Sequence, residues 1–148
     1  MTSIRILTTD DAAAYQALRL RGLRETPDAF GSSYEEEVDR PLEMIAERLA
    51  GGRANESVAY GAFDAAGTLV GIGGLYRETH RKARHRANVV GMYVAPEARG
   101  QALGRALLDA LVAHARSMGG VQRLELGVTT TNAAARALYR AFGFTTWG

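Results

Sequence analysis

The chain has 148 residues, of which 47% are apolar and 23% are charged, and its formal net charge is +2. This length and composition predict one globular domain over residues 1–148, without a second core. The absence of cysteine excludes disulfides, thiolate metal sites and a cysteine nucleophile together. No run approaches the ~20 apolar residues that cross a bilayer, and no apolar signal-peptide segment opens the sequence. Because the chain has no cysteine, we expect a cytoplasmic protein.

The N-terminal part predicts one strand, two helices and a connector between the helices. Residues 3–8 alternate enough to form a strand, and Asp10 or Asp11 can cap the helix that follows. A second helix is predicted from Pro41 to the glycine stop at residues 51–52. Acidic residues 35–37 lie before it, and they are typical of a solvated helix start because negative charge favours the dipole there.

Two β-hairpins are predicted in the middle of the chain. Residues 57–63 and 68–76 are β-like runs that are joined by the turn at residues 64–67. The next turn region concentrates basic side chains, namely Arg77, His80, Arg81, Lys82, Arg84, His85 and Arg86. It is interpreted either as an exposed hairpin tip or as a field that attracts an anionic partner. Because interleaved aromatic residues are absent, nucleic-acid binding is not favoured.

A strand and a helix enclose the most informative loop of the sequence. Apolar residues at positions 89–94 predict a central strand, which ends at Pro96 because proline has no N–H to donate. Helical spacing then connects the apolar residues Leu103, Leu107, Leu108, Leu111, Val112 and Ala115. Residues 99–105 are therefore a tight, glycine-bearing entry to a helix.

This helix entry has the chemistry of an anion site. A helix start leaves about four N–H groups without partners and carries the positive end of the dipole. Gly100 and Gly104 let a phosphate approach the main chain, and Arg99 and Arg105 add charge-assisted donors. A diphosphate fits such a cradle better than a lone carboxylate.

The C-terminal part predicts a strand, a helix and the start of another strand. Residues 123–128 place Leu124, Leu126 and Val128 on one face of a strand. Asn132 can cap a helix that Gly143 terminates, and a last strand begins at residue 144.

The loop at residues 99–104 resembles that of the GNAT superfamily of acyl-CoA-dependent N-acyltransferases. The family loop reads Arg/Gln-x-x-Gly-x-Gly/Ala, and Arg99, Ala102 and Gly104 occupy its three specified positions. Ala102 is a departure: the loop survives if φ is negative there, whereas a positive φ or very close contact weakens cofactor binding. A second family motif, Asn-x-x-Ala-x-x-Leu-Tyr-x-x-x-Gly-Phe, is matched by Asn132, Ala135, Leu138, Tyr139, Gly143 and Phe144.

The resemblance implies an α/β (α+β) fold with a mixed, mostly antiparallel central sheet flanked by helices. It places the cofactor loop between the fourth strand and the third helix, and it implies acetyl-CoA as cosubstrate with no metal. The pantetheine arm is expected beside Met92, Tyr93 and Val94 like an added strand, where one backbone N–H polarises the thioester carbonyl. The other implied cofactor contacts are Arg99, Gly100, Gln101, Ala102, Leu103, Gly104, Arg105, Asn132 and Tyr139.

The catalytic residues are less defined than the cofactor residues. Tyr139 is the candidate acid for the departing thiolate, and the alternative is a core-edge tyrosine that packs with Leu138 and Phe142. Many relatives use a glutamate on the central strand, but residues 89–93 include no carboxylate. Glu125, a glutamate of residues 35–37 acting through water, or an amine that arrives partly neutral are the alternatives. His114 is interpreted as an exposed helix residue.

These residues predict an N-acetyltransferase that acts on a primary amine of a small molecule or peptide. The alternative is a non-catalytic acyl-CoA-binding regulatory module. The resemblance places residues 35–37 beside the acceptor opening, so acceptor recognition is their second interpretation. Family members commonly continue through a strand beside residues 124–128, for which no residues remain here. Either the chain is trimmed or an exposed edge is covered by a partner, which predicts a homodimer.

Overall fold

The computed structural model describes residues 2–27, 33–50, 57–78, 81–126 and 133–145, with only the backbone for residues 133–136. Its sheet has five strands in the order β1–β2–β3–β4–β5, which are Ser3–Ile6, Ser57–Phe63, Leu69–Arg77, Arg86–Val94 and Arg123–Leu126. Strands β1 to β4 pair antiparallel, and β5 pairs parallel to β4. The predicted mixed, mostly antiparallel sheet is confirmed.

Five α-helices accompany this sheet in the described part of the chain. They are α1 at Ala12–Glu25, α2 at Tyr34–Glu37, α3 at Leu42–Leu49, α4 at Leu103–Ser117 and α5 at Ala133–Ala141. The acidic run does start a helix, since the Ser33 side chain caps α2 by accepting from the N–H of Glu36 at 3.2 Å. Because α2 forms this extra turn, the loop after β4 precedes the fourth helix in chain order and not the third.

Apolar side chains bury both faces of the sheet. One face packs under α1 and α3, with Tyr15, Ile45 and Ile72 in its core. The other packs under α4, where Leu108 and Leu111 contact the inward residues of β3 and β4. Burying each such leucine or isoleucine stabilises the fold by about 1.5–3 kcal/mol. The sheet is therefore held between two helical layers. No helix in the described ranges has the length and apolar character that a membrane crossing requires.

A bulge interrupts the pairing of β3 with β4. Ile72 pairs with Tyr93, but Gly74 pairs with Val90, so one position of β3 faces two residues of β4. Gly91 lies in this bulge with φ +62°, a left-handed conformation that favours glycine. The bulge changes which backbone groups of β4 point at β3.

Two polar segments differ from their simplest interpretations. His114 was predicted to be exposed, but it is half-buried because its face of α4 lies over β2, and its Nδ1 is 3.1 Å from the Tyr60 hydroxyl. This burial lowers the pKa of His114. In the basic hairpin, Arg77 is partly structural, since its Nε–H donates to the Arg84 carbonyl at 2.7 Å. Arg81 and Lys82 are exposed in the turn between β3 and β4, as expected for a hairpin tip.

Candidate cofactor and active site

The loop between β4 and α4 folds back tightly before the helix begins. A 3-10 turn at Pro96–Ala98 follows β4, and Gly100 then has φ +85°. Ala102, the residue before α4, lies in the left-handed region with φ +58° and ψ 26°. Of the two conformations considered for Ala102, the structure therefore contains the one with positive φ, which costs an L-residue about 1–2 kcal/mol.

Backbone donors of this loop point away from the helical ladder. The first helical bond runs from the N–H of Ala106 to the Ala102 carbonyl at 3.0 Å. The N–H groups of Leu103, Gly104 and Arg105 precede it and have no partner within the helix. The positive end of the α4 dipole lies at these N–H groups, so an anion binds best at this part of the loop.

The space around the glycines is open, and this tests whether a diphosphate fits. A Cβ added to Gly104 would have ordinary contacts only, at 3.7 Å from Leu138 Cδ2 and 4.0 Å from Val94 Cγ2. A Cβ added to Gly100 would meet nothing within 4 Å. Packing within the described protein therefore does not require glycine at position 104. The open approach to the N–H groups fits a diphosphate, which needs close contact with the main chain.

Two arginines flank this cradle, which comprises residues 99–105. Arg99 is exposed, donates its Nε–H to the Val94 carbonyl at 3.0 Å, and holds its guanidinium 5.9 Å from the centre of the Tyr93 ring. Arg105 is exposed with its guanidinium 5.4 Å from the centre of the Phe142 ring. Both side chains are thus oriented by neighbours and retain donors for a phosphate.

One edge of β4 leads from the bulge to the cradle. Ala95 donates its N–H to the Val70 carbonyl at 2.8 Å, so by the alternation of a strand Tyr93 also points its backbone groups at β3. The backbone groups of Met92 and Val94 then point to the opposite edge. Pairing of β5 with β4 ends at Val89 and Leu126, and no described strand lies beside the edge after that. We call Met92 to Val94 on this side the free edge.

The side chains of the free edge do not line it equally. Met92 and Val94 pack on the α4 side of the sheet. Tyr93 points to the α1 side, is only 4% exposed, and donates its hydroxyl hydrogen to Glu25. Burial, followed by the bond to Glu25, raises the pKa of Tyr93 to about 12. The Tyr93 side chain is therefore buried and bonded within the protein. The backbone groups that face a ligand at this edge belong to its neighbours Met92 and Val94.

Tyr139 lies on α5, the helix whose Leu138 side chain is 3.7 Å from a Cβ built at Gly104. Its ring is half-buried and meets Phe144 edge to face, with centroids 6.1 Å apart, where the sequence suggested packing on Phe142. Burial raises its pKa, so the phenol is protonated at neutral pH. Within the described residues its hydroxyl has no hydrogen-bond partner. Asn132, the other residue taken from the second motif, lies outside the described residues.

The structure separates the candidate bases. Glu125 pairs with Asn88 on β4, four residues before Met92 and so about 13 Å along the strand, and its carboxylate lies 3.5 Å from Arg123. Glu37 is fully buried and forms two hydrogen bonds with Arg19 at 2.6 and 2.9 Å. Its assignment as a solvated base or acceptor contact is wrong, because α2 turns this side chain into the protein against α1.

The sequence patterns do not predict the polar network that Glu25, Arg21 and Glu97 form with Tyr93 beside the free edge. Glu25 accepts from Tyr93 and from the Nε–H of Arg21 at 3.2 Å, and Arg21 pairs with Glu97 through two bonds of 2.7 Å. The spacing of Arg21 and Glu25 predicts a helical ion pair. Contacts across 68 and 76 residues of sequence depend on the tertiary fold, so no local pattern predicts them.

A depression elsewhere does not belong to this site. It has a volume of about 500 Å³ at the end of α1 and is lined by Leu23, Arg24, Pro27, Ser33, Tyr34 and Glu35. None of these residues lies in the cradle or on β4. Among the described residues there is also no group of three His, Cys, Asp or Glu side chains placed to hold a metal ion.

Known proteins are similar to this chain in both fold and sequence. The model of the Acetyltransferase (GNAT) family matches residues 21–144. The chain belongs to the GNAT family. A GNAT acetyltransferase structure from Streptococcus pneumoniae is 26% identical with a TM-score of 0.88, over 100% of this chain and 87% of that one. A ribosomal-protein-alanine N-acetyltransferase from Brucella melitensis is 27% identical with a TM-score of 0.81, over 99% and 86%.

A curated relative adds a shorter match. The mycothiol acetyltransferase of Thermobispora bispora is 43% identical over 86 residues, which are 55% of this chain and 28% of that protein. The chain therefore spans less than a third of this relative's length. Acetyl-CoA is the cofactor that the GNAT family uses.

Proposed function

We propose that the chain is an N-acetyltransferase that moves an acetyl group from acetyl-CoA to a primary amine of a small molecule or peptide. The observation that carries the proposal is the junction of two binding features on one strand, since the free edge of β4 runs directly into the diphosphate cradle. Acetyl-CoA supplies an activated thioester, which an amine can attack directly once it is neutral. The named relatives are acetyltransferases, in agreement with this reaction.

The cradle would hold the diphosphate through its main chain. The N–H groups of Leu103, Gly104 and Arg105 face the anion at the α4 start, and Arg99 and Arg105 add charge. Gly100 and Gln101 complete the turn, and Ala102 sets the direction in which the helix begins. These residues make no bond to the reacting atoms. They contribute to catalysis by holding the cofactor in alignment.

The free edge would align the reactive group. The outward backbone groups of Met92 and the N–H of Val94 can pair with the amides of an extended arm as a neighbouring strand does, whereas the Val94 carbonyl already accepts from Arg99. By the alternation of the strand, the N–H of Met92 points away from β3, so it can donate to the thioester carbonyl as negative charge develops on the oxygen. Tyr139 has a protonated phenol to give to the departing thiolate.

The first experiment is a thiol-release assay with acetyl-CoA and a panel of primary amines. We expect amine-dependent release of CoA that exceeds hydrolysis for at least one amine, together with a product whose mass increases by one acetyl group. If calorimetry shows acetyl-CoA binding but no amine raises the release of thiol, the chain is an acyl-CoA-binding module and the proposed function is wrong.

Replacing Gly104 with valine tests the cradle. In Gly104→Val the side chain enters the open approach to the helix N–H groups, and losing one or two charge-assisted bonds lowers acetyl-CoA affinity by roughly 10- to 100-fold. The matched control is Gly119→Val at the other end of α4, where an added Cβ meets nothing within 4 Å. We expect unchanged affinity in the control and thermal stability close to wild type in both, by calorimetry and melting. Equal affinities of the two folded variants would refute the assignment of the cradle.

A further inference from the structure

The reacting amine can reach the free edge from one face of the sheet. On the α4 face, Met92 and Val94 pack into the cluster that contains Leu107. Val89 points into the same helical layer, so its neighbour Val90 points to the α1 face, where it is 43% exposed. An amine that attacks a carbonyl held at Met92 therefore approaches from the α1 face.

Glu25 is held beside this approach. It is the last residue of α1, and one carboxylate oxygen accepts from Tyr93, the residue next to Met92. The other oxygen accepts from Arg21 at 3.2 Å. These two bonds fix the carboxylate, and 38% of the side chain stays exposed to solvent and to a ligand.

The charges around Glu25 favour a cation. Arg21 lies between Glu25 and Glu97, and one guanidinium between two carboxylates leaves a net charge of −1. Arg99 is the other cation that acts on Glu25, and a diphosphate in the cradle engages it. The bond from Tyr93, followed by that from Arg21, lowers the pKa of Glu25, so it is ionised at neutral pH. An ammonium group is the ligand that this environment attracts.

We infer that Glu25 binds the ammonium group of the acceptor on the α1 side of the free edge and takes its proton during transfer. The inference rests on the proposed function. Glu25 supplies the carboxylate that the central strand lacks. The other candidates are badly placed, because Glu125 on β5 lies beside Asn88, about 13 Å along β4 from Met92, and Glu37 is buried against Arg19.

The transfer step balances among the amine, the thioester, Glu25, Tyr139 and water. The amine nitrogen forms a bond to the acetyl carbon, and the carbon–sulfur bond breaks with its electron pair going to sulfur. Before this attack, the bound ammonium loses one proton to water through Glu25, because an ammonium nitrogen has no lone pair. After the carbon–nitrogen bond forms, the nitrogen loses a second proton to Glu25, which passes it to water through its exposed side. The thiolate gains one proton from Tyr139, and water reprotonates the phenol. A weakly basic carboxylate is sufficient, because the nitrogen becomes far more acidic once it is bonded to the carbonyl carbon.

Glu25→Gln tests the inference, because the amide keeps an oxygen for Tyr93 and removes the charge. With an amine that wild type acetylates, we expect kcat/KM for the amine to fall roughly 100-fold or more, the range of acid–base catalysis, with a higher KM for the amine. The Kd for acetyl-CoA, measured by calorimetry, should stay within twofold. Glu25→Asp should recover part of the activity, since it restores the carboxylate.

Glu43→Gln is the matched control, since it removes an exposed carboxylate of α3 that touches neither the approach nor Arg21. It should leave kcat/KM within about twofold of wild type. The inference is overturned if Glu25→Gln retains wild-type kcat/KM, or if its loss follows a lower Tm or weaker acetyl-CoA binding, which indicates a structural role. If wild type acetylates no amine, the proposed function itself is wrong and the inference is lost with it.

Discussion

At the scale of single residues, the cradle depends on backbone conformations that its sequence indicates incompletely. The departure at Ala102 is visible in the motif, but its φ of +58° follows from how the loop closes between β4 and α4. Gly104 is the opposite case, because the fold leaves space there that the protein itself does not fill. The motif identifies both positions in the sequence. Only the structure shows that Ala102 has a strained backbone and that Gly104 leaves space for a ligand.

Tyr139 carries the prediction that separates an enzyme from a binding protein. In Tyr139→Phe the ring keeps its edge-to-face contact with Phe144 and loses the phenolic proton. We expect kcat to fall by roughly 10- to 1,000-fold with little change in acetyl-CoA affinity, because general acid catalysis contributes about that much. Steady-state kinetics and calorimetry on the same preparation measure both quantities. Normal turnover in a variant with a lower Tm would instead assign the hydroxyl a structural role.

At the scale of elements, α2 shows why charge patterns mislead locally. Three consecutive glutamates suggested one solvated run, but successive side chains of a helix point about 100° apart. Glu35 and Glu36 are exposed, whereas Glu37 is buried against Arg19. The helix start was predictable from the acidic run, and the buried ion pair was not, because it needs α1 in place. His114 on α4 is a similar case, since the sequence predicted an exposed side chain and the contact with Tyr60 of β2 depends on the tertiary fold.

The Glu37–Arg19 pair predicts a large effect on stability. Glu37→Ala leaves a mostly buried guanidinium without its carboxylate, and we expect the free energy of unfolding to fall by about 3–5 kcal/mol. Exposed Glu35→Ala is the control, with an expected loss below about 1 kcal/mol. Denaturant unfolding measures both.

A compensating double variant identifies the cause of that loss. Glu37→Leu combined with Arg19→Met removes both charges and should regain most of the stability, because burying two apolar groups avoids an unpaired charge. A Glu37→Ala loss below 1 kcal/mol, or a double variant as unstable as the single one, would contradict a buried ion pair.

At the scale of the whole molecule, the sheet order brings the parts of the site together. Apolar patterns were sufficient to predict the five strands of the described sheet and its antiparallel hairpins. The strand predicted to begin at residue 144 is not found at residues 144–145, and residues 146–148 lie outside the described residues. The bulge at Gly91 and the contact of Glu25 with Tyr93 were not predictable, because register and helix placement are tertiary. On the outer side of β5, no strand is paired among the described residues, and the homodimer expected at this edge stays a prediction.

The central claim is that β4 and its following loop hold acetyl-CoA, and a crystal structure of the complex tests it most directly. We expect diphosphate oxygens at about 3 Å from the N–H groups of Leu103, Gly104 and Arg105. We also expect the pantetheine amides to pair with Met92 and Val94, with the thioester carbonyl beside the bulge. A diphosphate bound elsewhere, or an arm that leaves the free edge of β4 unpaired, would contradict the claim.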